Sequence, residues 1–461
     1  MKQSALLLSA CAAAMLVATP ALAEEVPPEV TAELQELRAR VSALEALVQQ
    51  LTGTQAEVAQ QAAQAATTAQ AAQATATETA EAVAAAPQVS FGAAARAQSS
   101  SGWSFQPFGR LQYDVANVDG PSGYSDARLG FGSELRRGRI GVQGDIPGGF
   151  GYKLELDFAD NDVAITDAII TYDAGGGFEI TAGQHNNFQS LEELTSSRFT
   201  SFMERAAFTD AFGFERRVGL SVGYARGDIR FNAGAFTDDI DALTDSSDSA
   251  YSVDARLVYS PEIGGAQLHF GGSAHWRDLQ STGNDIRYRQ RPAVHTTDTR
   301  FISTPNLIVE EETGFGLETA VISGRFHAVA EGHWLTADVL GADNPTFFGS
   351  YAEVGFFLTP GDTRGYSGGR FNRTRPARPL DEGGIGAVQI NARYDYLDLT
   401  DAGIIGGEQN LYGLSLIWTP IDHARLSINY SHIEYDDAAI AAGLDTNYGV
   451  DVIGARGELD F

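Results

Sequence analysis

Of the 31 lysines and arginines in the chain, only Lys2 and Lys153 are lysine, so the cationic chemistry here is guanidinium chemistry. A guanidinium stays charged, offers planar donors in a fork and sheds water more easily than an ammonium. It therefore suits phosphate or carboxylate oxygens at close quarters. The candidates are Arg110, Arg137 and Arg139 on alternating stretches, then Arg198, Arg205, Arg216 and Arg217 in and just after a long polar segment, with Arg393 and Arg425 as further members. The competing reading is that some only brace a wall by pairing with Glu134, Asp114, Glu204 or Glu215. Other chemistries fail on spacing. His269 and His275, like His327 and His333, lie too far apart along extended chain, at ~3.3 Å per residue, to share a metal. Glycine-rich pieces such as 173–183 have no helix after them to make a phosphate loop, and no G-x-S-x-G nucleophile stands out. No metal, cofactor or enzymatic activity is expected. A formal charge of −29 argues against nucleic acid as a partner.

The elements that must hold these arginines are strands. From Trp103 to the end the pattern has period 2. Tyr152, Leu154, Leu156 and Phe158 alternate with Lys153, Glu155 and Asp157, and Val388, Ile390, Ala392, Tyr394 and Tyr396 with Gln389, Asn391, Arg393 and Asp395. Such runs are about ten residues, the length of a tilted strand crossing an apolar layer. Their polar face mixes both signs of charge with small glycines, as a water-filled lumen would. Connections alternate as well. Tight turns at 147–149, 174–177, 227–228, 262–265, 323–324 and 421–423 are interleaved with long polar segments at 118–133, 185–215, 238–250 and 278–311. Short turns on one side and long loops on the other, over about sixteen strands, predict an all-β, 16-stranded antiparallel transmembrane barrel at 103–461 with an aqueous channel. Leu111, Tyr113 and Val115 then face lipid and put Arg110 inward; Ile140 and Val142 do the same for Arg137 and Arg139. The last strand alternates to Phe461, as a strand closing on the first would, with its terminal ring at the interface and available to the barrel assembly machinery. One connection, 360–384 with Arg364, Arg370, Arg373, Arg375 and Arg378, falls on the short-turn side yet is long.

The other end of the chain reads differently. Residues 1–23 carry a basic start, a short apolar run and Ala21-Leu22-Ala23, a secretory signal peptide; the run continues past Cys11, which weighs against lipidation there. Cleavage would remove Lys2 and take the charge from −29 to −30. Over 24–55, Val30, Leu34, Leu37, Val41, Leu44, Val48 and Leu51 keep a 4-3 spacing, a heptad seam that predicts an α-helical coiled coil rather than a lone amphipathic helix. Residues 56–102 are Ala/Gln/Thr-rich, a helical stalk or linker that buries little area. With both barrel ends on the short-turn side, this helix is expected in the periplasm of a Gram-negative bacterium, where it could touch peptidoglycan.

The stretch "LEELTSSRFTSFMERAAFTDAFGFERRVGL" at 191–220, with "PFGRLQYD" at 107–114, "ELRRGRIGVQG" at 134–144 and "FFLTPGDTRGYSGG" at 356–369, resembles the phosphate-selective porin O and P family. The resemblance implies a homotrimer of outer-membrane barrels, an inward-folded third loop forming a constriction, arginine-lined passage of anions such as phosphate, and the long connection near 360 as a family feature. It matches residue by residue at Glu192, Glu193, Leu194, Thr195, Ser196, Ser197, Phe202, Met203, Glu204, Arg205, Arg216 and Arg217. The scarcity of lysine departs from the family's phosphate-binding members. A general or sugar-type porin is the alternative, though Tyr, Phe and Trp fall mainly on the outward parity rather than along a lumen track. A barrel-anchored structural or adhesive protein would need its stalk outside the cell.

Overall fold

The computed structural model describes residues 28–84, 90–91, 95–99, 101–159, 162–244, 250–280 and 284–461; the signal peptide expected at 1–23, with Cys11, lies outside them. It contains two compact units, divided after Ala86.

The second unit is the expected barrel. Its strands are β1 (Ser104–Asp119), β2 (Gly130–Ile146), β3 (Phe150–Asp157), β4 (Ala164–Gly175), β5 (Phe178–Asn186), β6 (Arg216–Arg226), β7 (Ile229–Phe236), β8 (Tyr251–Tyr259), β9 (Ala266–Asp278), β10 (Val309–Ser323), β11 (Phe326–Val339), β12 (Thr346–Phe357), β13 (Ala387–Asp401), β14 (Ile404–Ile421), β15 (Ala424–Asp436) and β16 (Tyr448–Asp460). Each pairs antiparallel with its sequence neighbour, and β16 closes on β1 with Leu459 opposite Leu111 and Ala455 opposite Val115. Closure leaves no strand edge unpaired in a medium without water. Gly109 and Phe461 exchange backbone hydrogen bonds of 3.0 and 3.1 Å. The terminal ring lies over Gly109, where a Cβ would come within 2.4 Å of it. The greasy parity faces out, with Leu111, Ile140, Leu220, Leu317 and Leu414 all more than half exposed.

Two departures from the alternation matter. The β1–β2 register slips, so that Gln112 pairs with Arg137 but Tyr113 with Leu135. Arg136 is the extra residue of this bulge, and it turns inward beside Arg137 instead of facing lipid. Inward positions toward the long-loop end are also apolar. Val118, Leu397, Leu399, Ile433 and Tyr435 join Phe208, Phe212 and Phe214 of the β5–β6 loop and Tyr288, Phe301 and Ile302 of the β9–β10 loop in one buried cluster. The loops fold into the barrel because they carry apolar residues that only its interior can cover.

The first unit is one helix, α1 (Pro28–Ala84), running through both the heptad segment and most of the Ala/Gln/Thr-rich stretch. Its threonines return hydrogen bonds to carbonyls four residues back, as Thr52 does to Val48 at 2.6 Å and Thr67 to Ala63 at 2.8 Å, satisfying hydroxyls that would otherwise compete with the helix. Leu37, Val41, Leu44, Val48 and Leu51 are each 50–60% exposed. The linker expected to run to 102 is not all helical, since Ser90–Phe91 pairs with Ala95–Gln98, which in turn pairs onto the start of β1.

Candidate permeation pathway

Two segments fold into the barrel lumen. The first, the β5–β6 loop (187–215), carries two short helices, α2 (Leu191–Leu194) and α3 (Ala207–Ala211). The wall holds it mostly through carboxylates. Glu331 of β11 accepts from the backbone N–H of Leu191 and Glu192 at 2.8 Å each, and Asp395 of β13 accepts from Ala207 N–H at 2.9 Å. Both satisfy helix N-terminal donors that lack partners in their own turn. Arg205 caps the other end of α2, donating to the carbonyls of Glu192, Glu193 and Thr195 at 2.9–3.2 Å. Arg393 of β13 pairs with Glu192 of the loop and, at 2.7 Å, with Glu353 of β12, its guanidinium packed against the Phe202 and Tyr351 rings. At the far arm Glu204 takes Arg136 at 3.0 Å and Arg456 at 2.9 Å. Burial pushes the Glu204 carboxyl up, but Arg136 and then Arg456 outweigh it and hold the group well below the usual carboxylate range.

The second segment is the β12–β13 connection (358–386), which leaves the short-turn end and doubles back inside. Gly365–Ser367 pairs with Arg370–Asn372 around Gly368 and Gly369, both at positive φ, a two-residue turn that only glycines fit comfortably. This hairpin reaches the wall at β8 and β9, where Arg256 of β8 donates to Gly369 O at 3.0 Å and Tyr366 meets His269 of β9 at 2.6 Å. Arg364 joins the two inward segments, donating to Ser201 Oγ at 2.6 Å and Phe199 O at 2.5 Å, and stacks on Phe371. Desolvation pulls its guanidinium below the ordinary arginine value.

A family model described as phosphate-selective porin O and P matches residues 105–461. The chain belongs to that family. An uncharacterized protein of Caulobacter vibrioides is 50% identical over 367 residues, covering 78% of this chain and 74% of its own length. Vibrio cholerae OmpT, an outer-membrane protein, superposes with a TM-score of 0.50 at 10% identity, over 78% of this chain and 98% of its own. The anion-selective porin from Comamonas acidovorans gives 0.47 at 13% identity over 78% and 100%. At such identities a structural likeness speaks for the barrel fold alone; the family match makes this barrel an outer-membrane channel.

Each arginine singled out from the porin's sequence lies inside the barrel, and they divide into two groups. Arg110 pairs with Glu155 at 2.6 Å, Arg139 with Asp157 at 2.6 Å, Arg198 with Asp460 at 3.0 Å, Arg205 with Glu193 at 3.2 Å, Arg216 with Asp167 at 3.0 Å, and Arg393 as above. Lys153 bridges Glu155 and Asp167 at 3.1 and 2.5 Å, linking β1–β4 and Arg216 into one ladder of alternating charge. Arg137, Arg217 and Arg425 have no carboxylate at ion-pair distance among the described residues. Arg137 donates to Gln112 at 3.0 Å, Arg217 weakly to Ser252 and Gly213 O at 3.5 Å, and Arg425 to the carbonyls of Arg198 and Thr200.

The bracing partners expected from sequence are therefore wrong in detail. Asp114 braces Arg456 and Glu204 holds Arg136 and Arg456, while Glu134 meets His295 at 2.9 Å. Glu215 has no partner among the described residues. Nearness in sequence misled because a barrel's neighbours are set by strand register. The inward parity of Lys153, Glu155 and Asp157 was visible, but not that β1 and β2 would present Arg110 and Arg139 to them. Also missed were Arg136, hidden by the bulge, and Arg456, while Arg364 and Arg370 stood out only as members of the long basic connection and not as lumen candidates. A cavity of about 30 Å³ on the short-turn side is lined by Arg198, Arg364, Arg373, Arg425 and Asp460.

Proposed function

We propose that this porin passes small hydrophilic anions, phosphate among them, past a constriction where unpaired guanidiniums line the route. The supporting observation is the division among the lumen arginines. Arg137, Arg217, Arg364 and Arg425 donate to neutral oxygens only, and Arg370 has no side-chain partner among the described residues. None of the four is neutralised by a direct ion pair, although Glu353 acts on Arg364 and Glu458 on Arg425 from farther off, and rings of charge set selectivity through the local field rather than through net charge. The chain's acidity, concentrated in part in loops such as 237–250, is compatible with this. Family and fold relatives are channels rather than catalysts, and no reaction is assigned.

The reading extends to partners. The exposed seam of α1 would be covered by other copies, giving a coiled coil that supports a homotrimer of barrels set in outer-membrane lipid. The helix would stand in the periplasm, where contact with peptidoglycan is the natural use of such a rod. Phe461 at the closing strand would be the residue read by the barrel assembly machinery. With Cys11 in the leader the sole cysteine, a Leu44→Cys variant should form covalent dimers on oxidation of the intact trimer. Purely monomeric chains would count against the coiled coil.

The deciding experiment is the zero-current potential of purified protein in a planar bilayer under a salt gradient, repeated with phosphate. An anion-signed potential and a phosphate-dependent fall in current are expected. A cation-signed potential would reverse the assignment of the permeant class.

A further inference from the structure

On the long-loop side of the β5–β6 loop, a cavity of about 210 Å³ lies between α3 and the β9–β10 loop. Four arginines and His295 line it together with Glu193, Glu204, Asp210 and Glu215. Most are already engaged. Arg136 is paired with Glu204, Arg205 with Glu193, Arg291 with Asp298 at 2.8 Å, and His295 with Glu134; Asp210 accepts the Arg291 N–H at 3.0 Å. Two lining groups make no direct ion pair among the described residues: the Arg137 guanidinium, whose one hydrogen bond goes to Gln112, and the exposed Glu215 carboxylate. Both line this one cavity, as does the Glu193 carboxylate.

A free cation and a free anion facing one polar cavity suit a ligand that carries both charges. Phosphate would satisfy Arg137 but bring its charge beside Glu215, Glu193 and Glu204, where like charges repel. An α-amino acid offers a carboxylate to the Arg137 fork and an ammonium to Glu215, and both contacts are charge-assisted. We propose that this cavity is a transit site for α-amino acid zwitterions, held by Arg137 and Glu215 before they cross the constriction. The proposal rests on the reading of the lumen as a solute path and adds a second substrate class to it.

The test uses the full-length protein in planar bilayers, with ion-current noise recorded on adding glutamine, acetamide or phosphate. Glutamine should interrupt the current in a saturable way that acetamide, which lacks both charges, does not. Glu215→Gln should weaken the glutamine block by about tenfold, the worth of one charge-assisted contact, without weakening block by phosphate. Arg137→Gln should weaken block by both. Heat-modifiable migration of the folded barrel checks that each variant has folded, and Glu215, being exposed, leaves the wall network intact when changed. Glutamine block no stronger than acetamide's, in a channel that still reverses with an anion sign, would overturn the transit site and leave the anion reading standing. Equal loss of glutamine and phosphate block in Glu215→Gln would also overturn it. A cation-signed channel whose glutamine block still depends on Glu215 would support the site and sink the anion reading.

Discussion

The β5–β6 loop and the β12–β13 hairpin both enter the lumen, one from each end, and they are fastened by opposite means. The loop is held by ions of both signs: Glu331 and Asp395 under its helices, and the Arg393 and Arg136–Glu204–Arg456 clamps at its arms. The hairpin is held largely by arginines reaching neutral oxygens, with Arg364 on Ser201 and Phe199 and Arg256 on Gly369; its one strong ion contact is Arg373 with Asp460 at 2.5 Å. Where charges are paired in a buried place, removing one strands the other, and the arrangement makes for rigidity. Where a guanidinium donates only to hydroxyls and carbonyls, its field survives and acts on whatever passes. The loop therefore reads as the fixed narrowing of the channel and the hairpin as a carrier of its charge.

That contrast can be broken most decisively at Arg393. Arg393→Ala strips the cation from two buried carboxylates, Glu192 and Glu353, and should cost about 3–5 kcal/mol. The expected result is a lower melting temperature, protease cleavage within 187–215 and a larger, noisier conductance. An unchanged melting temperature would mean that the loop is held by its apolar cluster alone. Next in size is Arg364→Ala. Its hydrogen-bond partners are neutral and Glu353 keeps its pairing with Arg393, so the stability loss should be about 1–3 kcal/mol, and the reversal potential should move toward zero with less change in conductance noise than in Arg393→Ala. If both variants alter noise and selectivity alike, the two segments do not divide the labour.

Much of this was legible beforehand. Period-2 alternation, the spacing of turns and the amphipathic last strand are local properties of sequence, and they carried the barrel, its closure and the inward face of Arg110, Arg137 and Arg139. What escaped depends on contacts between residues far apart in the chain. The bulge at Gln112 and Tyr113 is a one-residue register slip that turns Arg136 inward, and no pattern of apolar and polar residues announces it. The pairing of Arg110 with Glu155, or Arg198 with Asp460, follows from which strands and loops adjoin. The apolar interior at the long-loop end was hidden for another reason: Leu397 and Leu399 lie on the inward parity while Asp398 and Thr400 take the outward one, so the alternation inverts at that end of the strand. The family match at 191–220 pointed to the inward loop, and the structure gives most of those motif residues an anchoring task rather than a direct hold on solute.

Arg137 and Arg139 make the finest comparison, two residues apart on β2 and both facing the lumen. Arg139 is cancelled by Asp157 and Glu155, at 2.6 and 3.5 Å; Arg137 touches only Gln112. If charge free of a direct ion pair is what selects anions, Arg137→Ala should shift the reversal potential toward zero while Arg139→Ala, which frees Asp157 to repel anions and leaves Glu155 to Arg110 and Lys153, should shift it at least as far and add a loss of stability. The stability readout separates the two mechanisms. Arg137→Ala gives up one hydrogen bond to a neutral amide, about 1 kcal/mol, whereas Arg139→Ala strands charge in the β1–β4 ladder. Equal melting temperatures for the two variants would show that the ladder is screened by lumen water and that pairing distance is no guide to which arginines brace and which select.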